Sequence, residues 1–220
     1  MDKILVINPN SSETVTRGID LAMEPLRIAG GPGIDCVTLK EGPPGIETQQ
    51  HVDGVIAPML RLVREKEAEY AAFVVACYSD PGLHSVREAT AKPVLGISEC
   101  GVLTALTLGQ KFGVIAILQK SIPRHLRYLG AMGVMDRLAA ELPVGLGVAE
   151  LSDEKKTFGR MVDVARTLRD THGANVIVMG CAGMARYRKP LQDEVGLPVV
   201  EPSQAAVGMA IARVRLGWQR

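Results

Sequence analysis

Short apolar runs alternate along the chain with longer stretches in which apolar residues recur at helical spacing. The runs are rich in valine and isoleucine and mostly lack alternating polar positions, which is typical of strands covered on both faces. We predict strands at residues 3–7, 34–39, 72–76, 93–97, 112–117, 144–149, 176–179 and 197–200. Between them, residues 12–28, 50–66, 153–170 and 203–215 predict helices. This alternation indicates an α/β fold in which helices flank mainly parallel sheets.

A weak internal repeat suggests that the chain consists of two similar halves. Residues 74–77 resemble residues 178–181 at an offset of 104, and residues 93–98 resemble residues 198–203 at an offset of 105. The strand that begins at Lys3 has a counterpart that begins at Lys111, an offset of 108. Chance similarity among valine-rich strands is the alternative.

If the repeat is real, Cys77 and Cys181 occupy equivalent strand ends, one in each half. Binding sites in open α/β sheets form beyond the carboxyl ends of the strands. We therefore expect two pseudo-symmetric α/β halves with an active site in the cleft between them. The first half is expected to comprise residues 1–98 and 203–220, and the second residues 99–202.

Charge and composition narrow the possible partners. The chain has 25 Lys and Arg residues against 24 Asp and Glu residues, a net charge of +1, and 4% aromatic residues. A nucleic-acid or anionic membrane surface would require more positive charge, and base stacking would require more aromatic rings, so we expect neither partner. No apolar run reaches the length of a membrane span, and the start lacks a signal-peptide pattern. We therefore expect a cytoplasmic protein that acts on a small molecule.

The cysteines and histidines show no spacing typical of a metal site or a disulfide framework. The cysteines are far apart and form no Cys-x-x-Cys pair, so we expect reduced thiols. The histidines are equally scattered and are interpreted as surface or helix-capping residues. We predict no metal ion and, because no Gly-rich nucleotide loop occurs, no cofactor. The residues are Cys36, Cys77, Cys100, Cys181, His51, His84, His125 and His172.

Cys77 follows a predicted buried strand and precedes the turn sequence Tyr-Ser-Asp-Pro-Gly. Asp80 can cap a following helix, with Pro81 at its first position. The thiol would then lie near a helix N-terminus, whose dipole and free N–H groups favour thiolate. Asp80 is interpreted as a cap rather than an acid, and Ser79 as either a ligand contact or a turn residue.

Cys181 also follows a predicted strand, and the small residues Gly180, Ala182 and Gly183 surround it. Small residues let backbone N–H groups approach a ligand closely. The alternative for any cysteine is the role of a buried small apolar residue, which we expect for Cys36 and Cys100. The matching positions of Cys77 and Cys181 favour a catalytic pair.

A pair of thiols suits racemisation for a physical reason. The reaction removes a proton from one face of a stereocentre and returns one to the other face, and a single base cannot easily reach both. One group must be a thiolate and the other a thiol, and modest environmental effects bring a thiol pKa towards neutrality. The carbanion requires an adjacent carbonyl, whose enolate oxygen backbone donors can stabilise.

Residues 6–11, 76–82 and 180–184 together resemble hydantoin and allantoin racemases of the aspartate/glutamate racemase superfamily. Their sequences are Val-Ile-Asn-Pro-Asn-Ser, Ala-Cys-Tyr-Ser-Asp-Pro-Gly and Gly-Cys-Ala-Gly-Met, and residues 42–47 also look like a loop of that family. The resemblance implies two pseudo-symmetric domains, no cofactor, a cleft that holds both cysteines, and a homo-oligomer. It further implies that proton transfer and substrate binding involve Cys77, Cys181, Asn8, and the backbone at Ser79, Ala182 and Gly183.

Two departures from the superfamily pattern bear on the substrate. Amino-acid racemases of the superfamily usually have Thr-His after the second cysteine, whereas Ala182-Gly183 stands here, which favours a hydantoin. Ile117 and its neighbours replace threonines that commonly meet the ligand, so this segment is expected to supply an apolar wall. The expected function is racemisation of a 5-substituted hydantoin or allantoin. Alternatives are an aspartate or glutamate racemase, an isomerase or decarboxylase on the same scaffold, and a small-molecule binding protein.

Other polar residues have simpler interpretations. Helix capping explains Asn10 or Ser11, so Asn8 is the better candidate for a ligand contact. The basic residues around 120–127 are interpreted as a solvated helix face, with Arg124 or Arg127 near the cleft as the alternative.

Overall fold

Two parallel four-stranded sheets form the frame of the computed structural model, which describes residues 2–218. The strands within that range are β1 (Lys3–Asn8), β2 (Gly33–Thr38), β3 (Ala72–Val75), β4 (Val94–Gly96), β5 (Phe112–Ala116), β6 (Leu138–Pro143), β7 (Val176–Met179) and β8 (Val199–Val200). The first sheet has the order β2-β1-β3-β4 and the second the order β6-β5-β7-β8. Both halves therefore have the same strand order, which confirms the predicted α/β fold.

Helices connect the strands and cover both sheets. In the described part of the chain they are α1 (Glu13–Ala22), α2 (Gln49–Gly54), α3 (Ile56–Lys66), α4 (Leu83–Ala89), α5 (Ile97–Leu108), α6 (Ile122–Ala131), α7 (Glu154–Asp170), α8 (Arg188–Val195) and α9 (Pro202–Leu216). Short 3-10 helices lie at Glu24–Leu26, Gln119–Ser121, Met135–Arg137, Val148–Ser152 and Ala182–Tyr187.

Two predicted helices are shorter or divided because of prolines. The helix predicted at residues 50–66 is divided into α2 and α3, since Pro58 lacks the N–H that a continuous helix requires and its ring would meet the carbonyl of Gly54. The helix predicted at residues 12–28 ends at Ala22, and Pro25 lies in the first turn of a separate 3-10 helix.

The strand predicted at residues 144–149 is wrong. The structure places β6 at Leu138–Pro143, and residues 144–149 form a loop and the start of a 3-10 helix. β6 is an edge strand in which Glu141 is buried and the other residues are half-buried, so its sequence lacks the apolar run of a covered strand. Val144 and Leu146 are nonetheless buried, because the loop that carries them packs into the core of the second half.

The central strands supply side chains to two apolar layers, which explains their continuous apolar sequences. In β1, Leu5 and Ile7 pack in one cluster with residues of α3 and α4, whereas Ile4 and Val6 pack in another with residues of α1 and α9. A sheet covered in this way leaves its strand ends as the places where polar side chains can reach a cleft.

Helices α5 and α9 join the two halves. Helix α9 follows the second sheet in sequence but packs against β1, β3 and β4, and α5 contacts both α9 and β7. The division into residues 1–98 with 203–220 and residues 99–202 stays a prediction, and its residues 1, 219 and 220 lie outside the described range. No helix within residues 2–218 is long and apolar enough to cross a membrane.

Candidate active site

Cys77 and Cys181 lie at equivalent strand ends, just beyond β3 and β7. These strands hold the same position in their sheets, and both thiols line one cavity of about 440 Å³. Residues of both halves line it, so the cavity lies in the cleft between the sheets.

Four of the residues predicted to bind substrate also line this cavity. Ser79 follows Cys77, Ala182 and Gly183 follow Cys181, and Ile117 belongs to the apolar wall. The walls are completed by apolar and polar side chains that include Val15, Ile46, Val148, Asn10, Ser121, Arg124 and His125.

Asn8 is not among the lining residues, and its contact with the substrate stays a prediction. It is 1% exposed, and its Nδ2 donates to Asn10 Oδ1, the Ser12 carbonyl and Thr16 Oγ1 at 2.9–3.1 Å. Asn8 therefore shapes the turn, and Asn10 is the asparagine that reaches the cavity. Ser12, rather than Asn10 or Ser11, caps α1 by accepting the N–H of Val15.

The Cys77 sulfur accepts the backbone N–H of Ser79. Burial nevertheless raises the pKa of Cys77 to about 11, although that N–H and the charge of Arg124 act in the opposite direction. The expectation of a thiolate favoured by the following helix is therefore wrong for the free protein. Helix α4 begins only at Leu83, after Gly82, and burial outweighs the groups that favour thiolate.

Cys181 has the same backbone arrangement, since its sulfur accepts the N–H of Gly183. Burial raises the pKa of Cys181 to about 12, and the charges of Cys77, Glu201 and Glu47 add to the rise. The influence of a Cys77 charge on Cys181 means that ionisation of one thiol opposes ionisation of the other.

Asp80 caps a helix, but not the one that follows it in sequence. Its carboxylate accepts the backbone N–H groups of Ser98 (2.9 Å) and Glu99 (2.8 Å) at the start of α5. Burial raises its pKa to about 7, although these two donors act in the opposite direction. Its backbone has φ +41°, and a Cβ at Gly96 would overlap its carboxylate. The turn that carries Cys77 is thus anchored to α5 at a position where only glycine fits.

A polar network extends from the second half to the turn after Cys77. Arg124 on α6 donates its Nε–H to Ser79 Oγ at 3.0 Å. His125 Nε2 lies 3.3 Å from the same hydroxyl, and His125 Nδ1 lies 2.5 Å from Glu141 Oε1 on β6. His125 and Glu141 are both buried, so the predicted surface or capping role of this histidine is wrong. Ser79 therefore links the Cys77 turn to α6.

Ser121 and Asn10 each carry, at the cavity, a polar group that lacks a hydrogen-bond partner in the described range. The fully buried Ser121 hydroxyl has no hydrogen-bond partner among the described residues. Asn10 Oδ1 accepts hydrogen bonds from Asn8 and Ser12, while its Nδ2 donates to no residue in the described range. A buried polar group without a partner costs about 1–3 kcal/mol, so the Ser121 hydroxyl in particular suits a polar ligand.

The charges at the cavity are few. Arg124 is the permanent cation at the cavity, and no Asp or Glu of residues 2–218 lines it. Within the same residues, no group of three or more His, Cys, Asp or Glu side chains is arranged to hold a metal ion. The arrangement can thus exchange protons with a ligand through its thiols and donate hydrogen bonds to it.

Two polar cavity residues that the sequence analysis missed, Ser121 and His125, lie on or next to α6. Ser121, His125 and Leu129 follow one another at intervals of four residues, which places them on one helix face. Leu129 is buried, so two polar residues on an apolar face were the available signal for a site. For Arg124, the sequence favours a solvated helix face, with a position near the cleft as the alternative.

Known proteins resemble the chain over nearly its whole length. The Asp/Glu/hydantoin racemase family model matches residues 4–210. The hydantoin racemase of Paenarthrobacter aurescens is 34% identical, over 99% of this chain and 93% of its own length. The solved structure of the allantoin racemase from Klebsiella pneumoniae has a TM-score of 0.90 at 31% identity, covering 99% of this chain and 89% of that one. The Pseudomonas fluorescens allantoin racemase has a TM-score of 0.91 at 28% identity, with 98% and 92% covered. The chain therefore belongs to the Asp/Glu/hydantoin racemase family and is an isomerase of the racemase type.

Proposed function

We propose that the protein racemises a 5-substituted hydantoin or allantoin without a cofactor, with Cys77 and Cys181 as its two acid–base groups. The observation that carries this proposal is that both thiols line one small cavity between the halves. The similarity to hydantoin and allantoin racemases supports the choice of substrate.

The reaction requires one thiolate and one thiol on opposite faces of the stereocentre. The thiolate takes the proton from C5 of the ring, and the electron pair passes into the adjacent carbonyl. The thiol on the other face then gives its proton to C5, which leaves the second cysteine as the thiolate. The opposite enantiomer uses the same groups in reversed roles.

The unpartnered donors suit the enolate oxygen that forms between the two proton transfers. The Ser121 hydroxyl and Asn10 Nδ2 lack partners in the described range, and Ala182 begins a 3-10 helix, whose first N–H has no acceptor within the helix. Preorganised donors stabilise charge that develops in the transition state, and they do so most strongly where water is excluded.

The lining favours a neutral ring over a free amino acid. An ammonium group entering the cavity would lose hydration, and no carboxylate of the described residues lines the cavity to replace it. Ile46, Ile117 and Val148 offer apolar walls to the faces of a flat ring.

Polarimetry of the purified protein with a panel of substrates tests the proposal. We expect loss of optical rotation with enantiomerically pure 5-substituted hydantoins or allantoin, and none with aspartate or glutamate. Racemisation of the amino acids alone would contradict the substrate class. Release of carbon dioxide from disubstituted malonates, without racemisation of hydantoins, would contradict the reaction.

We also propose that the protein is a cytoplasmic homo-oligomer. Its cysteines are free thiols, as suits a reducing compartment. Apolar side chains on or next to α1, α5 and α9 are exposed and could be covered by a second copy. They are Leu21, Leu103, Leu108, Leu216 and Trp218. Sedimentation velocity should give a multiple of the chain mass, and a monomer at micromolar concentration would contradict the oligomer.

A further inference from the structure

Arg124 is a buried cation without an acidic partner. It is 9% exposed, and no Asp or Glu oxygen of the described residues forms an ion pair with it. By contrast, the half-buried Arg87 is paired with the carboxylate of Glu99. The Arg124 Nε donates to Ser79 Oγ, and Arg124 lines the cavity. Because an unpaired buried cation is costly, we expect an anion to face Arg124 in the working enzyme.

The Cys77 sulfur is the anion that the structure can supply. Both residues line the cavity, and Ser79 contacts both, through its backbone N–H to Cys77 and its hydroxyl to Arg124. The Arg124 charge lowers the pKa of Cys77, whereas the charge of Asp80 raises it. The Asp80 carboxylate is directed at the start of α5, so it does not compete for the guanidinium.

Among residues 2–218, the main charges that act on Cys181 include no cation. Its sulfur accepts the Gly183 N–H, and the charges that raise its pKa are those of Cys77, Glu201 and Glu47. A negative charge on either sulfur opposes one on the other, so the first ionisation falls on the thiol with the more favourable surroundings.

Buried neighbours hold Arg124 in position. His125 lies between Glu141 and Ser79, with Nδ1 2.5 Å from Glu141 Oε1 and Nε2 3.3 Å from Ser79 Oγ, so these buried groups hold the Ser79 hydroxyl in place. The Ser79 oxygen can then accept the Nε–H of Arg124. Glu141 also adds a favourable charge for Arg124, while the like charge of Arg127 opposes it.

We propose that Arg124 is the counter-ion that makes Cys77, rather than Cys181, the first thiol of the pair to ionise, and that Ser79, His125 and Glu141 position its guanidinium. This inference rests on the proposed function for its catalytic meaning. For the enantiomer whose C5 hydrogen faces Cys77, the Cys77 thiolate takes the C5 proton. The Cys181 thiol then donates its own proton to the other face of C5. Solvent then takes the proton from Cys77 and returns one to Cys181, which restores the starting form.

Alkylation by iodoacetamide tests this assignment without requiring turnover. Rates would be measured across pH for Cys77 and Cys181 separately, by mass spectrometry of their peptides. The wild-type protein should be alkylated faster at Cys77, since thiolate is the nucleophile. Arg124→Met should slow Cys77 alkylation at neutral pH by about tenfold and move its midpoint to higher pH, with Cys181 not slowed.

Two matched variants separate charge from packing. Arg124→Lys should restore most of the Cys77 rate, because it keeps the cation. Arg127→Met, which removes an exposed arginine of the same helix that bonds Gln49, should leave both cysteines unchanged. Faster alkylation of Cys181 in the wild type, or an unchanged Cys77 midpoint in Arg124→Met, would overturn the assignment. The expected alkylation pattern without any racemisation of hydantoins would overturn only the proposed function.

Discussion

The two halves place a cysteine at the same point of the same strand but surround it with different chemistry. Each sulfur accepts a backbone N–H from two residues further on, Ser79 in the first half and Gly183 in the second. The turn after Cys77 contacts Arg124 and its polar network. The turn after Cys181 is formed by Ala182 and Gly183, and the charges of Glu201 and Glu47 raise the pKa of the Cys181 thiol. The topology thus fixes where the thiols lie, and their neighbours decide which one ionises first.

The carboxylates that cap helices α5 and α9 also come from different positions in the two halves. In the second half, Glu201 caps α9 by accepting the N–H groups of Ser203 (3.0 Å) and Gln204 (2.6 Å). The equivalent position in the first half, 105 residues earlier, is Gly96, and Asp80 supplies the carboxylate that caps α5. Because this carboxylate comes from the turn after Cys77, the cap also fixes that turn. The first half therefore holds its cysteine turn more tightly than the second.

Replacing either thiol should have the largest effect. We expect Cys77→Ser and Cys181→Ser each to lower the racemisation rate by about 10²–10⁴-fold, because a serine hydroxyl exchanges protons far less readily than a thiol. The measurement is polarimetry with a hydantoin enantiomer. Cys36→Ser, which changes a half-buried thiol outside the cavity, is the control and should retain activity. Full activity in either active-site variant would refute the paired role.

The pH dependence should follow the more acidic thiol. Burial raises the pKa of Cys77 to about 11 and that of Cys181 to about 12, so below these values only a small fraction of Cys77 is thiolate. That fraction grows with pH, while Cys181 keeps its proton. We therefore expect kcat/KM to rise about tenfold per pH unit above neutrality. Arg124→Met should displace the profile to higher pH, and a profile that is flat from about pH 7 to 9 would contradict the raised pKa values.

The contact between the Asp80 carboxylate, which caps α5, and Gly96 can be tested by a double-mutant cycle. Gly96→Ala should lower the free energy of unfolding by about 1–3 kcal/mol, because its Cβ would overlap the Asp80 carboxylate. Asp80→Gly removes the carboxylate without strain at φ +41° and should cost about 1–2 kcal/mol. In the Asp80→Gly background, Gly96→Ala should cost much less. Urea unfolding measures all three, and additive costs would show that the two sites do not interact.

Replacing Ser121 should have smaller effects, and the effect on stability should differ in direction from the effect on activity. Its hydroxyl is buried without a partner in the described range, so Ser121→Ala should leave the free energy of unfolding unchanged or slightly higher. If the hydroxyl donates to the enolate, the same change should lower kcat/KM by roughly 3- to 10-fold, equivalent to about 1 kcal/mol. Thermal unfolding and polarimetry measure the two effects. A variant that is destabilised but fully active would assign Ser121 to packing alone.

The local sequence pattern predicts the α/β fold and the position of Cys77 and Cys181 just beyond strand ends, because continuous apolar runs mark the covered strands. It failed at β6, whose half-buried Ala-Ala-Glu stretch lacks that pattern while the following loop carries the buried Val144 and Leu146. The sequence-based interpretation was also wrong for two residues whose roles depend on contacts with residues distant in sequence. Asp80 caps a helix other than the next one, and His125 is buried in contact with Glu141 on β6.

The isotope content of both enantiomers in heavy water tests the central claim most directly. A single hydantoin enantiomer would be converted to a few per cent in D₂O, and the C5 position of product and remaining substrate analysed separately. Two thiols acting from opposite faces predict deuterium in the product and protium in the remaining substrate. Protium in the product, or deuterium appearing equally fast in the recovered substrate, would show that one group serves both faces and would contradict the account.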